Sequence, residues 1–533
     1  MTRTTTINAS ELEPGHVIRA DLCVVGAGAA GIAIAHELAG SSLDVCLIEA
    51  GEPEYRRSVQ TLYAGYNTGL PNHELTSSRV RMLGGTTTRW TGQCAPLNAD
   101  DFEVRAWVPH SGWPFDLAHL DPWYRRANDL LGLPPYDYSP EAHVGPARPA
   151  LPSASRTLGT KSFRFVEQTD LRPLYRSIAE RCTNLRSVLN ANVTKIELDE
   201  SGRRVAALET KTLNGRAHRV EAGVFVLATG GIENSRLLLV SNVGNNRDQV
   251  GRYFMDHPFF FSGVVRFNDP SLEFNIHTLE GYEDLALSEY KVATLEFPRE
   301  TLQREQLVNV GVSFLRRPAF KTTRAYNSSG VRSLNALHEA VQTTIPTGPR
   351  WSWHLGRVLR GTPDILRSQL EHVRALFTQE NVLALRSTLE HAPNPDSRIR
   401  LAPARDRLGL PRPEVDWRMG DLERHSLHRF HEILAHFFKQ AGLGEITTQL
   451  DPDPDIEGGW PSSLLGGMHH MGGTRMHVDP SRGVVDADAR VHGVENLYIA
   501  GSSVFPTCGY ANPTFTIIAL ALRLADHLRN SRT

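Results

Sequence analysis

The chain has 533 residues, 40 % of them hydrophobic and 22 % charged. That balance excludes a disordered or fibrous protein, and the length suits roughly two to four structural units. Lys and Arg total 57 against 59 Asp and Glu, a formal charge of −2, which excludes the clustered positive charge of a dedicated nucleic-acid binder. Five cysteines make no disulfide framework. Cys23 and Cys46 sit in apolar runs of strand type, where a thiol is buried and inert. The opening MTRTTTINASELEPG lacks an apolar core, and no apolar run reaches the about 18–20 residues that span a bilayer. The expectation is a cytoplasmic protein without a membrane partner.

The first informative stretch is Asp21 to Gly51, DLCVVGAGAAGIAIAHELAGSSLDVCLIEAG. Leu22 to Val25 read as a strand, Gly26, Gly28 and Gly31 form G-x-G-x-x-G, and Ala29 to Leu38 carry a helical pattern. A second apolar run, Val45 to Ile48, ends at Glu49. Gly26 allows a tight turn, Gly28 lets backbone approach a pyrophosphate, and Gly31 permits close helix–strand packing. Amides at the helix start offer donors to phosphate oxygens, and Glu49 can accept from ribose hydroxyls. Strand, helix, second strand and terminal acid all stand in order, which predicts adenine-dinucleotide binding. Ala50 and Gly51 follow with no basic residue for a 2′-phosphate, which disfavours NADP; FAD and NAD stay open here.

Residues 81–97, RMLGGTTTRWTGQCAPL, show neither strand nor helix period and read as a loop of backbone donors. Val224 to Thr229 form another strand, followed by Gly230, Gly231 and a helical run from Ile232 to Val240. A strand–Gly–Gly–helix element so far downstream is expected where discontinuous chain wraps one cofactor. Alternation over Phe259 to Phe267 and Ala293 to Phe297 predicts strands of a second sheet. From 349 to 377 the chain turns basic, with Arg350, Arg357, Arg360, Arg367 and Arg374; it reads as helix interrupted near Gly361 and Pro363, presenting a solvated face by default, or else a subunit contact or lid. Asp451, Asp453, Asp455 and Glu457 form an acidic loop, solvated by default, or else a rim attracting a cationic substrate. Leu497 to Ala500 are strand-like, and Thr516 to Leu528 have an apolar helical face just after Asn512-Pro513-Thr514.

GAGAAG…E, GGTTTRW, ATGGIENSRLLL at 228–239 and the closing HHMGGTRM…ANPT segment occur in the order seen in glucose–methanol–choline (GMC) oxidoreductases, which the chain resembles over most of its length. GRYFMDHP at 251–258 and PNPDSR at 393–398 add to the likeness. The resemblance implies an α/β FAD-binding Rossmann-like domain plus an α+β substrate domain with an antiparallel sheet, the two-domain architecture also seen in p-hydroxybenzoate hydroxylase. The first would be discontinuous, 16–100, 181–256 and 466–533; the second, with connecting segments, would take 101–180 and 257–465.

It also implies a site. The family's catalytic histidine belongs to H-x-x-G-T, which His470 to Thr474 match. If the segment is extended, neighbouring side chains point to opposite sides, which leaves His469 to support the site from behind or to pack. The second catalytic position, histidine or asparagine in the family, matches Asn512. Asparagine does not titrate near neutrality, so His470 would take the hydroxyl proton while hydride leaves for flavin N5. Cofactor-binding positions carried over are Gly26, Gly28, Gly31, Glu49, Gly85, Thr86, Trp90, Thr91, Val193, Ala228, Asn234, Gly501, Ser502 and Thr514; no metal site is assigned. The GGTTTRWT loop is most similar to that of pyranose and glycoside oxidases, where a histidine can carry covalent flavin. Arg89 stands at that position, so the FAD is expected to be non-covalent. The substrate implied is a sugar, glycoside or amino sugar, with oxygen or a quinone-like acceptor. A non-sugar alcohol of secondary metabolism, or a flavin-dependent lyase reaction, are the alternatives.

Overall fold

The computed structural model describes residues 6–139, 158–269, 291–315, 323–343, 351–375 and 382–531. The glycine-rich segment folds locally. β1 (Val17–Val25) ends in four buried residues, Leu22 to Val25. After the turn at Gly26 comes α1 (Ala29–Leu38), an alanine- and isoleucine-rich helix that buries Ile32, Ile34 and Leu38. β2 (Val45–Ile48) is buried throughout, as expected of a strand covered on both faces, and pairs in parallel with β1. β3 (Ala217–Leu227) runs parallel on the other side of β1 and leads into α2 (Gly231–Ser241). Thr6–Asn8, Leu185–Leu189 and Leu497–Ile499 join in parallel, and Asn192–Leu198 and Val205–Lys211 close the eight-stranded sheet antiparallel.

Register decides what this sheet does. Val25 pairs with Ile48 and with Leu227, and Leu227 with Ile499. Four strands therefore end in one row. The residues that follow, Gly26, Glu49, Ala228 and Ala500, gather at the carboxyl edge, where open α/β sheets hold their ligands. α3 (Thr514–Asn530) lies against α1 and buries Phe515, Ile518, Leu522 and Leu528, each apolar side chain contributing about 1.5–3 kcal/mol.

The second sheet is antiparallel along its whole length. β4 (Pro258–Phe267) pairs with β5 (Leu383–Leu389), and the order continues through Val310–Leu315, Lys291–Glu296, Gly159–Phe165 and Gln93–Cys94. Gly444–Thr448 and Leu465–Gly466 pair with the other side of β4. The strand at Leu465–Gly466 runs directly into the histidine segment, so this sheet adjoins the site. A separate core fills the space between the sheet and the helix Asp421–Gln440, built from Phe260, Phe314, Leu427, Phe430 and Phe438.

The basic stretch breaks where expected, into helices Trp351–Arg360 and Thr362–Ala375; Arg350 lies outside the described residues. Its outward face differs from a plain solvated one. Leu359, Leu366 and Leu370 are 74 %, 60 % and 71 % exposed, while Ser368 is buried. Among the described residues, no helix is long and apolar enough to cross a membrane.

Candidate active site

A cavity of about 390 Å³ opens at the carboxyl edge of the first sheet and runs to the loop at Gly467–His470. The three glycines at its nucleotide end are needed for three different reasons. Gly26 has φ +104°, and a side chain there would stand 2.5 Å from the Ala228 carbonyl oxygen. A Cβ on Gly31 would lie 1.9 Å from the Gly26 oxygen, so only glycine lets α1 start that close to the turn. A Cβ on Gly28 would meet nothing within 4 Å; it would enter the cavity. No side chain caps α1 at Gly28, which leaves its first-turn amides available to an anion. Glu49 is buried, its oxygens accepting from the amides of Ala27 and Gly51, both at 2.8 Å. Each oxygen keeps a second lone pair for a ribose hydroxyl. A glycine cradle, open amides and a carboxylate at the strand end fit the pyrophosphate and ribose of FAD.

The Gly85–Thr88 turn closes over this end. A Cβ on Gly85 would be 3.0 Å from the Gly28 Cα, so the loop presses on the glycine turn. Thr86, Trp90 and Thr91 line the cavity beyond it, with Val193, Ala228, Gly501, Ser502 and Thr514 on other walls. Arg89 also lines it, its guanidinium 5.3 Å from the centre of the Tyr55 ring. Gly31 and Asn234 stand behind the wall. Asn234 accepts from Thr229 N at 2.9 Å and donates to Ala500 O and Ser503 Oγ at 3.2 and 2.9 Å. It thereby ties together the ends of β3 and the Leu497–Ile499 strand.

At the far end His470 and Asn512 both line the cavity. The His470 carbonyl accepts from Ser502 Oγ at 2.6 Å, and a Cβ on Gly231 would lie 2.2 Å from that carbonyl. The start of α2 thus holds the histidine backbone. The ring sits 6.0 Å from Phe254, and Nε2 is buried without a hydrogen-bond partner among the described residues. Burial, with Arg79 and His73 adding to it, holds the imidazole neutral down to about 3. Asn512 Nδ2 lies 3.5 Å from Gln93 Oε1.

His469 lines the cavity as well, which the extended-segment argument does not anticipate. Met468, Gly472 and Gly473 all have positive φ, at +60°, +68° and +87°. The chain winds here, and strict alternation is lost. His469 Nδ1 lies 3.0 Å from His257 Nδ1.

Sequence reading also missed a buried ion network beside the cavity. Arg79 reaches Glu233 at 2.9 Å, and Arg236 bridges Glu233 and Asp406 at 3.1 and 2.7 Å. Burial opposes ionisation of Glu233, but Arg236, Arg79 and Arg81 more than offset it and hold the carboxyl at about 2. Glu233 and Arg236 lie in the quoted IENSR stretch; their partners are distant in sequence and carried no signal of their own. The acidic loop turns out to lie elsewhere. Asp453 is buried, Asp455 accepts from Ser329 Oγ at 2.5 Å, and the field of both carboxylates acts on Arg332. None of the four acids lines the cavity, so the cation-attracting rim does not extend to the site.

The site's likeness to known proteins runs along the whole chain. The family model for FAD dependent oxidoreductases matches residues 21–248, and that for the C-terminal part of GMC oxidoreductases matches 393–521. The 6'''-hydroxyparomomycin C oxidase of Streptomyces lividus is 25 % identical, covering 98 % of this chain and 94 % of that protein. The fructose dehydrogenase large subunit of Gluconobacter japonicus is 22 % identical, covering 96 % and 98 %. Pyridoxine 4-oxidase from Mesorbium loti shares the fold with a TM-score of 0.57 at 19 % identity, covering 95 % and 98 %. With the glycine cradle, the two sheets and these matches in the same order along the sequence, the chain belongs to the GMC oxidoreductase family and is an FAD-dependent enzyme acting on CH–OH groups.

Proposed function

We propose that the enzyme oxidises a ring or primary hydroxyl of a sugar, glycoside or amino sugar to a ketone or aldehyde, with His470 as the base. The observation that carries this reading is the unpartnered, buried Nε2 of His470 in the wall of the cavity that also holds the glycine cradle. Bound FAD supplies the two-electron acceptor. His470, neutral at working pH, takes the hydroxyl proton at Nε2, and Asn512 donates to the substrate oxygen and fixes its orientation. Burial beside Phe254 and against the start of α2 keeps the imidazole neutral. Relatives named for a paromomycin-type aminoglycoside and for fructose support a polyhydroxylated substrate. The electrons pass on to oxygen or a quinone-like compound.

The test is anaerobic mixing of the yellow protein with D-glucose, D-fructose, paromamine and simple alcohols while following flavin absorbance. Bleaching by one of the sugars supports the reading, and admitting air then separates oxygen from other acceptors. Bleaching by simple alcohols alone moves the substrate out of the sugars.

Two further results are expected. Because His470 stays neutral far below the ordinary histidine value of about 6.5, the reduction rate should hold level from pH 8 to about 5. A fall centred near 6.5 would mean that another group titrates. Because Arg89 cannot form a histidyl bond, acid precipitation should leave the yellow colour in the supernatant. Colour retained in the pellet would show a covalent link elsewhere.

A further inference from the structure

His257 and His469 are 212 residues apart in sequence, yet their Nδ1 atoms are 3.0 Å apart and their rings meet edge to face at 5.1 Å. Two ring nitrogens at this distance share one proton: one donates and the other accepts. Whichever nitrogen of His257 is protonated therefore sets which nitrogen of His469 faces outward with a hydrogen.

The preceding residue grips the same loop. Asp256 Oδ1 accepts from the amides of His469 and Gly467 at 2.8 and 3.2 Å, and its Oδ2 accepts from Asn72 at 3.1 Å. His469 is thus held by both its backbone and its ring, from a dipeptide at the start of β4. The residue lines the cavity. Phe259 of β4 packs on it at 5.8 Å, with the Arg386 guanidinium of β5 4.2 Å from the centre of the Phe259 ring. This is the end roofed by the second sheet, far along the cavity from Glu49, and no step proposed above uses His469.

We propose that His469 contacts the substrate and that His257 is its positioning residue, the Nδ1–Nδ1 bond leaving His469 Nε2 to donate to a substrate oxygen. The direction of that bond follows from the surroundings of His257. Its Nε2 is buried without a hydrogen-bond partner among the described residues, and a proton there would be an unsatisfied buried donor, which favours the proton on Nδ1, facing His469. His469 Nδ1 then accepts and its Nε2 carries the hydrogen. Burial and the neighbouring His257 keep His469 itself neutral. The cavity thus has one histidine of each kind: His470 accepts from the reacting hydroxyl, and His469 donates to a second substrate oxygen that a simple alcohol lacks. This inference rests on the sugar reading of the site and adds a specificity element to it.

The test is a double-mutant cycle on the FAD-loaded enzyme, reading anaerobic bleaching by D-glucose, D-fructose and paromamine. His469→Ala should raise KM about tenfold with flavin content unchanged, the loss expected for one substrate hydrogen bond. His469→Gln, which keeps an amide near the Nε2 position, should recover most of it. His257→Ala should cost about tenfold in the parent enzyme and less than twofold in the His469→Gln background, because the proton it controls is then absent. His257→Asn, with an amide near the Nδ1 position, should restore the parent constants and shows that any loss in His257→Ala is not misfolding. Equal costs of His257→Ala in both backgrounds, or an unchanged KM in His469→Ala, would overturn the inference while leaving sugar oxidation standing. A parent enzyme bleached by none of the three sugars would overturn the sugar reading and this inference with it.

Discussion

Replacing His470 by alanine should leave a yellow protein whose flavin its substrate reduces 10²–10⁴ times more slowly, about 3–5.5 kcal/mol of lost barrier lowering. The colour persists because the ring is no part of the nucleotide cradle. Gly26, Gly28, Gly85 and Glu49 are at the other end of the cavity, and what ties His470 to the fold is its backbone, through Ser502 and the start of α2. The rate falls because no other group at hand matches its state. Asn512 does not titrate, and His469 has its Nδ1 lone pair committed to His257 and a hydrogen on its Nε2. Anaerobic bleaching followed at 450 nm or so by stopped flow gives the comparison directly. Near-normal reduction in His470→Ala would remove His470 from the chemistry, and a colourless protein would make it a support of the cofactor instead.

Alanine at two neighbouring glycines should separate fold from cofactor. Gly31→Ala places a Cβ 1.9 Å from the Gly26 carbonyl oxygen, backbone against backbone with nothing flexible to yield. Relief requires α1 to move off the turn, and overpacking of this kind costs about 3 kcal/mol or more. The protein should be recovered colourless and less stable even as apoprotein. Gly28→Ala has no such clash, and its backbone at φ −87°, ψ −162° suits any residue. Its methyl enters only the space where the pyrophosphate would approach. The apoprotein should melt at the parent temperature, yet its FAD affinity should fall by about 100-fold or more. Thermal melts of both apoproteins, with FAD titration by fluorescence quenching, give the two readings. If Gly28→Ala holds FAD as tightly as the parent, the dinucleotide does not cross the turn at that glycine.

Such a variant pair is available because the nucleotide end was legible from the residues alone. The run from Leu22 to Glu49 has strand, turn, helix and strand in immediate succession, and each depends on neighbours within a few residues. The helix read from Ala29 to Leu38 has those same bounds in the structure. The downstream Gly-Gly helix and the break near Gly361 were legible for the same reason. The order of motifs was enough to suggest the family.

Tertiary structure decided what lies face to face. The His257–His469 pair spans 212 residues and the Arg79–Glu233 contact 154, and no periodicity in either segment carries information about the other. Alternation assigned His469 to a supporting or packing role; the positive φ values at Met468, Gly472 and Gly473 break that alternation, and both histidines line the cavity. The acidic loop was open to two readings because charge density in sequence does not say whether carboxylates face water, a ligand or a half-buried Arg332. Short-range backbone preference wrote the nucleotide cradle into the sequence, while the wall that meets the substrate exists only once the second sheet docks its strands beside the loop that carries His469 and His470.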